Sequence, residues 1–114
     1  MVNKMIKVYK VEFFCNHRGH YPCIDWLAGL RDGVAKARID ARFRQIEHGN
    51  LGDHKPITGG IHEMRLHVGP GYRFYYGGGN DTLIFLWGGK KDSQHYDIQK
   101  ALQFWYEYLS EEQK

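Results

Sequence analysis

A chain of 114 residues, 42% apolar and 25% charged, has enough apolar surface for one hydrophobic core and too little length for two domains. Eight Tyr, six Phe and three Trp exclude a disordered chain, and a net charge of +3 suits an anionic partner without requiring one. No apolar run reaches the length of a bilayer span, and MVNKMIKVYK lacks the apolar core of a secretory signal. A cytoplasmic protein with no membrane partner is therefore expected, with Cys15 and Cys23 as reduced thiols rather than a disulfide framework.

The stretch from about Met5 to Phe14, rich in Val, Ile, Tyr and Phe, predicts a first strand, and the polar residues Cys15 to His20 a loop. Pro22 suits the first turn of a helix that carries Ile24, Leu27 and Leu30 and ends near Arg31. Asp32 is placed to cap a second helix with an apolar stripe of Ile39, Phe43 and Ile46, while Lys36, Arg38, Arg42 and Arg44 occupy other faces; Gly49-Asn50 stops it. A Gly-rich segment over 52–60 then leads into a hairpin. Thr82 to Trp87 is apolar at every position but the first, the pattern of a central strand buried on both sides. Asp92 or Ser93 is expected to cap a last helix whose Ile98, Leu102, Trp105 and Leu109 recur at helical spacing. The order β-α-α-β-β-β-α implies one α+β domain over residues 1–114, a mostly antiparallel sheet with two N-terminal helices and a C-terminal helix. Its helices are expected on one sheet face, the other being left for a partner.

The hairpin, IHEMRLHVGPGYRFYY over Ile61 to Tyr76, sorts its residues by chemistry. With Gly69-Pro70-Gly71 as the loop, Val68 faces Tyr72, Leu66 faces Phe74 and Met64 faces Tyr76, so apolar meets apolar. Glu63, Arg65, His67, Arg73 and Tyr75 then gather on the opposite face, as a surface for phosphate or as a solvated sheet face with cross-strand charge pairs.

Further cations flank that face: Lys55 before the hairpin, Lys90 and Lys91 after the central strand. Arg offers a planar fork to phosphate oxygens and Lys a mobile point charge, but neither is a comfortable base at neutral pH. RNA cleavage without a metal needs a proton acceptor for the 2′-OH, cations for the phosphorane and an acid for the leaving 5′ oxygen. His67, His95 and Tyr96 are the local candidates for proton transfer. Cys15-x-His17-x2-His20-x2-Cys23 holds four zinc-competent side chains, but one short loop containing Pro22 would have to wrap the ion alone, so no metal is expected there. No other cofactor is expected. Gly69-x-Gly71 and Gly77-Gly78-Gly79 read as turn glycines, since no helix start follows them at the place a phosphate loop requires.

The marks WL-x2-L-x-D, A-x-ARI, GN-x-GD-x-K, E-x-RLH-x-GPGYR and GGKK-x-SQ, spread from about Trp26 to Trp105, resemble the RelE/ParE toxin superfamily of type II toxin-antitoxin systems, in its phage Gp49-like, HigB-related branch of addiction-module killer proteins. The resemblance implies a RelE/ParE-like (RNase-like) fold and a ribosome-dependent messenger-RNA endonuclease that inhibits translation. It also implies a cognate antitoxin, commonly with a helix-turn-helix domain. By motif, Arg65 falls at the transition-state arginine, Arg73 at a second arginine, and Lys90 or Lys91 at the basic residue after the last strand. Tyr96 or His95 falls at the proton-transfer position, and Lys55 at a basic position before the hairpin. Catalysis is thus expected from Arg65, Arg73, Lys91, Tyr96 and His95, and RNA binding from Lys55, His67 and Lys90. The superfamily also contains members that inhibit DNA gyrase without cleaving RNA, and shared fold does not separate the two.

Overall fold

Local chemistry fixes where the helices begin. Asp32 Oδ1 accepts hydrogen bonds from Val34 N and Ala35 N, both 3.1 Å, satisfying two of the amides that a helix start leaves open. Pro22 begins the preceding helix, where its missing N–H costs nothing. In the computed structural model, which describes residues 8–112, the elements run β1 (Lys10–Phe13), α1 (Pro22–Gly29), α2 (Gly33–Glu47), β2 (His54–Pro56), β3 (His62–Leu66), β4 (Tyr72–Gly78), β5 (Thr82–Lys90) and α3 (Gln94–Glu112). The expected first strand is shorter than its sequence pattern, and residues 5–7 of that expectation lie outside the described residues. Helix α1 ends at Gly29, with Leu30 as its C-cap, and β2 is a short strand inside the Gly-rich segment, a fifth beyond the four that the sequence pattern predicts.

The five strands form one α+β sheet in the order β1-β5-β4-β3-β2; β1 joins β5 in parallel and the other neighbours are antiparallel. Strand β5 is buried on both faces, as its apolar run predicts. Leu83 and Phe85 join Met64, Leu66, Tyr72, Phe74 and Tyr76 in a core closed by α1 and α2. Ile84 and Leu86 point the other way, with Ile61 and Tyr75, into a second core closed by Ala101 and Trp105 of α3. This corrects the expectation of one bare sheet face: α3 lies opposite α1 and α2. The physical reason is the double-sided apolar character of β4 and β5, which demands cover on each side.

The hairpin register is also corrected. Leu66 pairs with Tyr72, Met64 with Phe74 and His62 with Tyr76, two residues from the expected match. The loop therefore holds five residues, His67 to Gly71. Gly69 and Gly71 adopt φ of +55° and +86°, which favour glycine, and the Gly71 N–H donates to Val68 O at 3.0 Å. Gly71 O in turn accepts from Lys91 N at 3.0 Å, tying the loop to the end of β5. A slip of two keeps every side chain on its face, but it sets Arg65 opposite Arg73 instead of Tyr75.

At the start of α3 the expected cap is replaced by a 3-10 turn over Lys91–Ser93. Ser93 Oγ donates to Asp97 Oδ2 at 2.5 Å, with Lys90 O at 3.1 Å as the alternative acceptor. Trp87 Nε1 donates to Asp97 Oδ1 at 2.8 Å. Asp97 is buried against Gly89, whose missing side chain makes the space. These bonds clamp the first turn of α3 onto β5, and that clamp carries Gln94 over the sheet.

Candidate functional site

The site is assembled where the C-terminal end of β3, the start of β4 and the first turn of α3 meet. Glu63 is fully buried at its centre. Its Oε2 accepts from Gln94 Nε2 at 2.6 Å, and its two oxygens lie 3.9 Å from Arg65 Nε and Arg73 Nε. The Tyr75 phenol is buried beside them, and burial, followed by the Glu63 charge, pushes its pKa well above the usual tyrosine range. Glu63 Oε1, Arg65 Nε, Arg73 Nε and Tyr75 OH are buried without a hydrogen-bond partner, so the centre of the site is polar and incompletely satisfied. The expected exposed face of Glu63, Arg65, His67, Arg73 and Tyr75 is thereby corrected: Glu63 and Tyr75 are interior residues beneath α3, Arg73 is nearly covered, and Arg65 and His67 reach solvent.

A second carboxylate orders the solvent side. Asp53 Oδ1 accepts from Arg65 Nη2 at 2.9 Å, and Asp53 Oδ2 lies 2.8 Å from His67 Nε2. The His67 hydrogen bond, assisted by Arg65 against the opposing effect of burial, holds the Asp53 carboxyl below its ordinary pKa. The backbone at Asp53 is fixed as well, since its carbonyl accepts from Arg65 N at 2.9 Å and from Arg42 Nη2 at 2.8 Å. Arg42 also donates to Leu51 O and Arg65 O, so this helix cation is a strut between α2, the loop before β2 and β3 rather than a solvated charge.

The structure brings Arg65 and Arg73 together through Glu63, and His67 to Arg65 through Asp53. Lys55 is exposed on β2 directly opposite Glu63, on the same sheet face. Lys91 is exposed, with its backbone bonded to the hairpin loop, and Lys90 pairs with Tyr72 and opens onto a groove shared with Trp26 and Asp32. His95 and Tyr96 are exposed on the first turn of α3, and Tyr96 lines a groove with Gln99, Lys100, Leu102, Gln103 and Tyr106 instead of joining the arginines. Gln94 is the residue of that turn which bonds to Glu63. Asp53, Gln94 and Arg42 were not legible as site residues. The Asp of GN-x-GD was the available signal for the first, since a carboxylate just before a basic hairpin is a natural counter-ion.

In the loop before α1, the Asn16 side chain accepts from Arg18 N and His20 N. Cys23, on the core side of α1, is buried, which raises its thiol pKa to about 12, and Cys15 is exposed. Among the described residues, no three His, Cys, Asp or Glu side chains gather as a metal site, and no helix is long and apolar enough to cross a membrane.

No family model and no solved structure matches the chain. An uncharacterized protein of Haemophilus influenzae is 44% identical over 77 residues, which cover 67% of this chain and 78% of that relative.

Proposed function

This chain belongs to one family with the uncharacterized Haemophilus influenzae protein, and we propose, from the resemblance of its motifs together with the chemistry of its site, that it is a metal-independent endoribonuclease on a RelE/ParE-like fold. In this reading it is the toxin of a type II toxin-antitoxin system. It acts in the cytoplasm on messenger RNA at the ribosome and is neutralised by an antitoxin with a helix-turn-helix domain. The observation that carries the reading is the apposition of Arg65 and Arg73 beside a histidine on one sheet end. Two guanidiniums stabilise a phosphorane that accumulates negative charge, and preorganised donors of this kind are each worth about 10² to 10³ in rate. Among the described residues the Arg65 guanidinium donates a hydrogen bond through Nη2 alone, leaving its Nη1 donors for phosphate. Lys91 adds a mobile charge beside the hairpin loop, Lys55 extends the basic surface on the arginine face, and Lys90 carries it around the end of β5 toward the α1 side. His95, exposed on the first turn of α3 next to Gln94, supplies the proton for the leaving 5′ oxygen, while Tyr96 faces its own groove.

Mapping messenger-RNA 5′ ends after induction in a bacterial host, beside Arg65→Ala, tests this function. New ends within reading frames that vanish in a folded Arg65→Ala variant are expected; cleavage retained in that variant overturns the assignment. The exposed Tyr96 and Tyr106 on α3 favour a second reading, a non-enzymatic inhibitor of DNA gyrase that binds through an adhesive helix face. Toxicity with DNA damage induction and no new RNA ends selects it.

A further inference from the structure

We propose that Asp53 and His67 form the proton-accepting dyad of the site, with His67 as the catalytic base for a ribose 2′-OH and Asp53 as its positioning residue. This inference rests on the endoribonuclease reading and deepens it by committing the substrate to RNA with a 2′-OH next to the scissile phosphate.

The geometry carries it. The Asp53 carboxylate divides its oxygens: Oδ1 takes Arg65 Nη2 at 2.9 Å, and Oδ2 meets His67 Nε2 at 2.8 Å. A carboxylate only accepts, so the bond fixes the His67 proton on Nε2 and leaves the Nδ1 lone pair directed away from Asp53. The His67 side chain is 75% exposed, so Nδ1 is open to a ligand. The same carboxylate thereby links the proton acceptor to the guanidinium that binds the phosphate, which is the relation a base needs to a charge-stabilising group. His67 also borders a groove with Arg38, Gln45, Leu66 and Val68, whose exposed Arg38 suits an RNA backbone. The charged groups facing the imidazole are thus Asp53 before β2, Arg65 on β3, and Arg38 and Arg42 on α2.

In the step itself, the 2′ oxygen gives its proton to His67 Nδ1 and forms a bond to phosphorus, while the bond from phosphorus to the 5′ oxygen breaks. That oxygen departs with a proton from His95 on the first turn of α3, which regains one from water. The products are a 2′,3′-cyclic phosphate and a 5′-hydroxyl, and the imidazolium returns its proton to water.

The test uses the full chain in a bacterial translation extract with a reporter message, where cut sites and rates are read by primer extension. Wild-type protein cuts; His67→Ala loses about 10² to 10⁴ in rate, and added imidazole restores part of it, which a structural role would not allow. Asp53→Asn keeps an acceptor for Arg65 but turns a donor toward His67, so kcat falls while KM holds. The double variant is no slower than His67→Ala, because Asp53 acts through His67. Cutting retained by His67→Ala, or a loss that imidazole leaves untouched, overturns the dyad while the endoribonuclease reading stands. An extract that wild-type protein leaves uncut overturns that reading, and the dyad with it.

Discussion

Arg65 and Arg73 occupy directly paired positions on β3 and β4, like charges face to face, and the buried carboxylate of Glu63 lies 3.9 Å from the Nε of each. Paired like charges on a sheet repel; Glu63 is the carboxylate shared by both arginines, while Asp53 offsets Arg65 from the solvent side. Glu63→Ala strands the Arg73 guanidinium, only 11% exposed, leaves Arg65 with Asp53 alone, and takes the acceptor from Gln94. A loss of about 3 to 5 kcal/mol in urea unfolding is expected. A loss below about 1 kcal/mol would show that something other than Glu63 holds the arginines together.

Gly77 lies under the Trp105 indole, and a β-carbon there would enter the ring. Trp105 is the largest side chain that α3 contributes to its core, so Gly77→Ala must displace the helix or the strand. About 1 to 3 kcal/mol of destabilisation is expected, as for overpacking elsewhere. Gly33→Ala, with open space at the first position of α2, is the matched control and is expected to gain stability by up to about 1 kcal/mol. Equal melting shifts for the two variants would refute the steric account.

Local rules made much of this fold readable. The Asp32 cap, the α2 stripe and the alternation of β3 and β4 each depend on near neighbours in sequence, and each is found where its pattern placed it. The register is not legible locally, because the five-residue loop is tied down by a tertiary bond, Gly71 O accepting from Lys91 N twenty residues later. The position of α3 was misread although Thr82 to Trp87 already demanded cover on both faces. At the site the arginines were legible from the hairpin pattern. Their organisers were not: Asp53 reaches Arg65 through the pairing of β2 with β3, and Gln94 reaches Glu63 through the clamp at Asp97, and both links are tertiary.

His62 stacks on Tyr76, with ring centroids 5.2 Å apart, and its Nδ1 is buried without a partner. Burial, then the nearby His54, lowers its pKa below the usual histidine value of about 6.5. The unfolded chain therefore binds more protons in the window just below that value, so this contribution is complete above about pH 6.5 and lost as pH falls. Asp53, with its depressed pKa, acts in a separate window below about pH 3.9. His62→Phe keeps the stacked ring and removes the titration. The decline in unfolding free energy between neutral and mildly acidic pH is expected to flatten in this variant, and an unchanged decline would assign it to other groups.

Arg42 ties three segments through carbonyls that no other cation shares among the described residues: Leu51 O, Asp53 O and Arg65 O, at 3.0, 2.8 and 2.8 Å. Gly52, at a φ of +65°, leaves the room the guanidinium occupies. The planar fork is required, because a lysine ammonium is a single point and does not span the three acceptors. Arg42→Lys is therefore expected to keep the charge yet loosen the Asp53 backbone and, with it, the carboxylate that orders Arg65 and His67. Hydrogen exchange at Arg65 N, which donates to Asp53 O at 2.9 Å, reads that loosening directly. Faster exchange there, with exchange in the β4 and β5 core unchanged, is the expected result. Unchanged exchange at Arg65 would mean that the strand pairing of β2 and β3 holds Asp53 without the strut.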